Sequence, residues 1–226
     1  MNKLFLTYSF LLAIFLYGCS SVQDNDTNKL ANSLSKAGLP EKAVLSPDEY
    51  MIWSGQPDNF LIREKTISEF NYKIKYLPTE QLIINDLKKS DQEITTENIA
   101  QLEKEYEGME YFEMRVQVDQ YNDELAKYQV ADISEYQTRI AYMAFAMKNN
   151  ITLSTELKEQ IPCKLFHFER TYGITPYTTF LFAFSKEDIA DAYDRTVVYD
   201  DKLFNKGRLK FNWSFENIEL PKIASL

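Results

Sequence analysis

Three segments of the chain alternate apolar and polar residues with a period of two, and this alternation constrains the fold more than any other feature. The sharpest segment runs from Arg208 to Glu216 and has four apolar side chains at its odd positions: Leu209, Phe211, Trp213 and Phe215. Residues 67–77 and 109–119 repeat the pattern. Successive side chains of a strand point to opposite faces, so the pattern predicts strands with one buried and one solvated face. Such strands are typical of antiparallel sheets.

Two hairpins are predicted in the C-terminal third. The first joins Leu165–Tyr172 to Tyr177–Ser185 through a turn at Gly173–Pro176, and both of its strands carry phenylalanines at alternate positions. These aromatic faces coincide only if paired residue numbers have an even sum, because a slip of one residue inverts every side chain. We therefore expect a loop with an odd number of residues, about three or five. A second hairpin is expected to join residues 196–200 to the segment that ends at Glu216.

Helical spacing of apolar residues predicts three helices between residues 78 and 147. One is expected over residues 78–89, and a second from Thr95 or Thr96 to Gly108. The third begins at Asp132, has Glu135 at capping-box spacing, and is expected to be the longest. Hairpin-connected strands with inserted helices indicate an α+β fold, a single domain with a mostly antiparallel sheet and helices packed on one face.

The prediction divides the chain into four parts. Residues 1–18 are expected to be a signal peptide, and residues 19–26 to be a lipidated cysteine with a polar tether. Residues 27–60 are expected to contain a short helix followed by an irregular lead-in segment with three prolines. The α+β globular domain is assigned to residues 61–226.

The first 19 residues have the features of an exported, lipid-anchored protein. Lys3 precedes an apolar run, Leu4–Leu16, which is too short for a transmembrane helix of roughly 20 residues. The sequence Leu16-Tyr17-Gly18-Cys19 resembles the lipobox of bacterial lipoproteins, which implies cleavage before Cys19 and acylation of its thiol. Ser20, in place of Asp, implies by the same resemblance that the anchor lies in the outer membrane of a Gram-negative bacterium. The alternative is an ordinary signal peptide with a chance cysteine.

Composition excludes several functions. A net charge of −9 argues against a nucleic-acid partner, which requires a basic face. One histidine and two cysteines leave little for a protein-ligated metal site or a histidine-based triad, so no metal, cofactor or catalytic residue is expected. Cys163 and His167 share a strand face but are four residues apart, which is roughly 13 Å and too far for a nucleophile and its base. The chain is therefore expected not to be an enzyme.

Three residues are retained as candidate binding residues. Arg170 lies on the same face as the phenylalanines of its strand, so it either pairs with a buried carboxylate or binds an anion. Asp200 and Asp201 belong to the densest acidic part of the chain, but the calcium-loop spacing is absent. A glycosidase carboxylate pair stays open, since the sequence does not determine the separation of two carboxyl groups.

Four short sequences resemble a group of uncharacterised bacterial lipoproteins of the Gram-negative, outer-membrane type: Tyr50-Met51-Ile52-Trp53, Tyr76-Leu77-Pro78, Pro162-Cys163 with Phe168-Glu169-Arg170, and Tyr199-Asp200-Asp201. The resemblance implies attachment to a membrane through the lipid anchor and adds no activity. We expect a non-enzymatic cell-envelope protein that binds an envelope protein or another surface component. Two alternatives are a glycan-binding or glycan-processing surface lipoprotein, which would use exposed aromatic and acidic side chains, and an immunity or inhibitor protein.

Overall fold

A computed structural model describes residues 38–224. The predictions for the signal peptide 1–18, for lipidated Cys19 and its tether 19–26, and for a helix after residue 27 lie outside these residues. Within residues 38–224, no helix is both long enough and apolar enough to cross a bilayer.

A five-stranded antiparallel sheet is the centre of the fold. Its spatial order is β2-β3-β4-β8-β7. The strands are β2 (Ile62–Ile67), β3 (Phe70–Leu77), β4 (Met109–Val118), β7 (Leu165–Glu169) and β8 (Tyr177–Ser185). Every neighbouring pair in this sheet is antiparallel, which confirms the expectation from alternation.

A second antiparallel sheet has four strands in the order β10-β9-β5-β6. Its strands are β5 (Ile151–Ser154), β6 (Ile161–Pro162), β9 (Asp194–Asp201) and β10 (Gly207–Ser214). Leu209, Phe211 and Trp213 of β10 are buried and the polar residues between them are exposed, as the alternation predicts.

The two sheets pack face to face around one aromatic core. The ring of Phe112 in the first sheet lies 5.6 Å from that of Trp213 in the second, and Tyr72 lies 6.2 Å from Tyr199. The α+β class with mostly antiparallel sheets is confirmed. The helix that starts at Ile133 covers only part of the five-stranded sheet. The second sheet covers the rest, because the apolar faces of β9 and β10 are buried in the same core.

Five α-helices surround the described sheets: α1 (Pro47–Gly55), α2 (Thr79–Lys89), α3 (Thr96–Tyr106), α4 (Ile133–Ala141) and α5 (Lys186–Ile189). The predicted limits of α2 and α3 are confirmed, and the hydroxyl of Thr95 accepts a hydrogen bond from the Asn98 N–H as the N-cap of α3. Asp132 caps α4 in the same way, through the Glu135 N–H.

The helix that starts at Ile133 changes its geometry along its length. α-Helical turns end at Ala141, a π-helical turn covers Tyr142–Ala146, and a 3₁₀ turn covers Met147–Asn150. Met143 of the π-helical turn and Met147 of the 3₁₀ turn are buried in the core between the sheets.

Two strands have limits that differ from the predicted ones, at the turn before β3 and at the loop after β7. The predicted strand over 67–77 begins at Phe70, because Ser68, with φ of 54°, reverses the chain and residues before it form the separate strand β2. In the hairpin of β7 and β8, Phe166 pairs with Phe182, so the even sum is confirmed. The connecting loop has an odd length but covers residues 170–176, longer than expected, because β7 ends at Glu169.

The lead-in segment is more regular than expected. Residues 40–60 contain α1, which starts with a capping box: the Ser46 hydroxyl accepts from the Glu49 N–H, and the Glu49 carboxylate accepts from the Ser46 N–H. Pro47 at the first helical position favours the helix, so one of the three prolines that predicted an irregular segment instead begins a helix. Two short parallel strands, β1 (Val44–Leu45) and β11 (Lys222–Ile223), join this segment to the C-terminal end of the described chain.

Candidate functional site

Cys163 and His167 lie in environments that do not suit nucleophilic catalysis. The Cys163 thiol donates to the Leu165 carbonyl oxygen at 3.0 Å, and burial raises the pKa of this thiol to about 11. The thiol is therefore protonated at neutral pH, whereas a nucleophile requires the thiolate. The His167 side chain is exposed on the other side of the strand from the Phe166 ring.

Asp200 and Asp201 point to opposite faces of β9. Asp201 is buried and its carboxylate accepts from Tyr72 Oη at 2.7 Å, from Tyr199 Oη at 3.0 Å and from three backbone N–H groups of the following loop: Leu203, Phe204 and Lys206. These donors occupy both oxygen atoms, so Asp201 connects the two sheets and closes the β9–β10 turn. Asp200 forms an ion pair with Lys202 at 2.9 Å on the outer face. Within residues 38–224, no three metal-ligating side chains lie close enough together to hold a metal ion.

Arg170 is paired with a buried carboxylate, one of the two roles expected for it. Its Nε donates to Glu124 Oε1 at 2.9 Å, and the Glu124 side chain is only 4% exposed. Tyr136 Oη donates to the other Glu124 oxygen at 2.8 Å, and Arg170 Nη2 donates to Tyr136 Oη. The hydrogen bond to Glu124 raises the pKa of Arg170. This triad links α4, the chain before it and the end of β7.

The loop of residues 170–176, which we call the Arg170 loop, has a constrained backbone. Tyr172 is in the left-handed region with φ of 53°, a conformation that costs a non-glycine residue about 1 kcal/mol. Gly173 follows with φ of 81°, and a Cβ atom there would lie 2.8 Å from Asp123 Oδ1. The Ile174 N–H donates to the Thr171 carbonyl oxygen at 3.0 Å. Local hydrogen bonds and the Glu124 ion pair therefore hold one loop shape.

Two large apolar side chains of the Arg170 loop face solvent. The Tyr172 side chain is 67% exposed and the Ile174 side chain is 86% exposed. The guanidinium carbon of Arg170 lies 4.3 Å from the centre of the Tyr172 ring, so the arginine that pairs with Glu124 also supports this ring by a cation–π contact. Ile133, one helical turn before Tyr136 on α4, is exposed as well.

Sequence reasoning identified Arg170 but missed the residues that give it its role. Glu124 and Tyr136 are 46 and 34 residues before Arg170, and no local pattern connects them to it. A signal existed for the loop itself, because Ile174 is an apolar residue within the turn sequence Gly173–Pro176, where polar residues are usual.

Comparison with known proteins gave no relative from which a role can be transferred. The chain matches no protein-family model, and neither the curated proteins nor the solved structures gave a significant match. What the protein does is therefore inferred from its own residues.

Proposed function

We propose that this protein is a lipid-anchored, non-enzymatic binding protein of the cell envelope, and that it docks a protein partner through the Arg170 loop. One observation carries the proposal: an ion pair between half-buried Arg170 and buried Glu124 holds Tyr172 and Ile174 in solvent on a constrained backbone. Folding alone favours the burial of such side chains, so their exposure on a fixed loop suits a binding function.

The physical basis is pre-organisation. Binding costs free energy when loops and side chains must be ordered, and a loop that is already fixed reduces this cost. Tyr and Arg are also enriched among the few interface residues that carry most of the binding energy. The proposed partner is a protein with an apolar pocket that accepts the Ile174 side chain and one face of the Tyr172 ring.

The membrane part of the proposal rests on the N-terminal sequence. Acylation of Cys19 would attach the chain to the outer membrane, because several acyl chains contribute roughly 0.8 kcal/mol for each buried methylene. Residues 19–26 would then act as the tether, so the Arg170 loop could reach a partner near the membrane surface.

The test is cross-linking of the lipidated protein in its native envelope, with identification of the captured protein by mass spectrometry. We expect the double variant Tyr172→Ala, Ile174→Ser to lose at least about 90% of the specific capture, since a hot-spot residue contributes about 2 kcal/mol or more. The matched control is Leu157→Ser with Phe145→Ser, two residues that are 65% and 78% exposed elsewhere on the surface. This control should retain capture.

Equal loss of the captured protein in both double variants would contradict the proposal, because general surface apolarity would then explain the capture. Retention in the loop variant would contradict it as well. Thermal melting of both variants checks that the exposed substitutions leave the fold intact, as surface changes usually do.

A further inference from the structure

A polar cleft lies on the outer face of the five-stranded sheet, the face turned away from the aromatic core. Its volume is about 470 Å³, in the range of small-molecule sites. Strands β2, β3, β4 and β8 and the turn between β2 and β3 form its walls.

Four uncharged polar side chains form a row across this cleft. In the strand register, Thr66 pairs with Asn71, Asn71 pairs with Gln117, and Gln117 pairs with Tyr177. The row therefore presents a hydroxyl, two amides and a phenol over three strand spacings, about 14 Å in total. Asn71 Nδ2 donates to Thr66 Oγ1 at 3.2 Å and to Glu64 Oε1. The Gln117 amide and the Tyr177 hydroxyl therefore supply the donors, and Asn71 Oδ1 an acceptor, that the hydroxyl groups of a ligand require.

A second row beside the first contains charges that largely neutralise one another. Glu64 pairs in register with Lys73, and Lys73 with Arg115. Lys73 Nζ lies 3.9 Å from Glu64 Oε2, and Arg115 Nε lies 2.8 Å from Glu113 Oε1. The guanidinium carbon of Arg115 lies 4.8 Å from the Tyr177 ring centre. The carboxylates of the cleft, with Glu69 and Asp119 included, outnumber its cations, which disfavours an anionic ligand.

From this arrangement we infer a second binding site: the cleft binds a neutral oligosaccharide, of about two or three sugar rings, along the row from Thr66 to Tyr177. Asn71 Oδ1 and the Gln117 amide contact the sugar hydroxyls, and the Tyr177 ring contacts the apolar edge of a sugar ring. The inference is independent of the Arg170 loop, since it rests on different residues.

Saturation-transfer difference NMR of the full lipidated protein in detergent micelles tests the site. The probes are cellotriose, maltotriose and triacetylchitotriose, each at about 10 mM, a concentration at which a site with Kd near 1 mM is about 90% filled. We expect saturation transfer to at least one of these neutral sugars. We expect Gln117→Ala and Tyr177→Ala each to weaken its binding about tenfold, because sugar hydroxyls are left unpaired or a ring contact is lost.

The matched control is Asn212→Ala, which removes an exposed amide side chain from the outer face of the other sheet and should leave binding unchanged. Absence of transfer to all three sugars overturns the inference. So does binding that the Gln117→Ala and Tyr177→Ala variants retain in full. Transfer to a sulfated disaccharide with none to the neutral sugars would also overturn it, because the ligand would then be an anion.

Discussion

Arg195 and Glu110 form a buried ion pair with two hydrogen bonds that joins the second sheet to the first. Arg195 Nε donates to Glu110 Oε2 and Nη2 donates to Oε1, both at 2.8 Å. Both side chains are less than a tenth exposed, and Arg195 Nη1 also donates to the Ala192 carbonyl oxygen. Arg195 lies in β9 and Glu110 in β4, 85 residues apart in the chain.

Removal of one partner of this pair should strongly destabilise the fold. We expect Glu110→Ala to lower the free energy of unfolding by about 3–5 kcal/mol, because the Arg195 charge would remain buried without a counter-charge. Urea denaturation measures the change. The control is Glu113→Ala, whose partner Arg115 is solvent-accessible and which should cost less than about 1 kcal/mol. Equal losses in the two variants would contradict the burial argument.

The apolar face of β10 should contribute more to stability than its polar face. We expect Phe211→Ala to cost about 3–5 kcal/mol, because a fully buried aromatic side chain leaves a cavity. Lys210→Ala, the next position on the exposed face, should change stability by less than about 0.5 kcal/mol. Both values are obtained from denaturant midpoints. A Phe211→Ala protein that unfolds at the wild-type midpoint would place this face of the strand in solvent.

A side chain at Gly173 should destabilise the Arg170 loop. We expect Gly173→Ala to destabilise the protein by about 1 kcal/mol or more, since it adds a Cβ atom close to Asp123 Oδ1 at a positive φ. Gly108→Ala is the control, because no atom lies within 4 Å of its added Cβ. Differential scanning calorimetry compares the two melting temperatures. A Gly173→Ala protein as stable as the control would show that the loop is not constrained in this way.

Acid should weaken the start of α1 through Glu49. The Lys42 ammonium and the Ser46 N–H lower the pKa of Glu49 from 4.5 to about 2. A carboxylate with a depressed folded-state pKa contributes stability above its unfolded-state pKa, and this contribution decreases as the pH falls from about 4.5 toward about 2. We expect Glu49→Gln to be less stable than wild type at pH 7.

The difference between wild type and Glu49→Gln should shrink at pH 3 and nearly vanish at pH 2. Urea denaturation at each pH measures it, with Glu216→Gln on the exposed surface as the control. A difference that is independent of pH would show that the hydrogen bonds of the capping box, rather than the Glu49 charge, stabilise the helix.

The membrane attachment should depend on Cys19 alone. We expect Cys19→Ala to move the protein from the detergent phase to the aqueous phase in Triton X-114 partitioning, because the acylated thiol would be lost. Cys163→Ala should remain in the detergent phase. Wild-type protein that is fully extracted without detergent would contradict the lipobox interpretation.

Local patterns predicted the elements that local interactions determine. The Asp132 cap and the strand of residues 109–118 follow from side chains within a few positions of each other. Two features that the sequence patterns did not predict have a common cause. The turn at Ser68 and helix α1 depend on single backbone conformations or on one capping pair, and these signals are weaker than a long apolar repeat.

Periodicity along the chain predicts the antiparallel strands, their buried faces and the even register of the hairpin between β7 and β8, since it specifies which side of a strand is apolar. Tertiary packing is needed to bring the second sheet over the first and to pair Glu124 and Tyr136 with Arg170. Tertiary packing also places Asp201 inside the molecule, where its carboxylate accepts five hydrogen bonds. These pairings join residues tens of positions apart, and their partners are selected by packing rather than by any neighbouring residue.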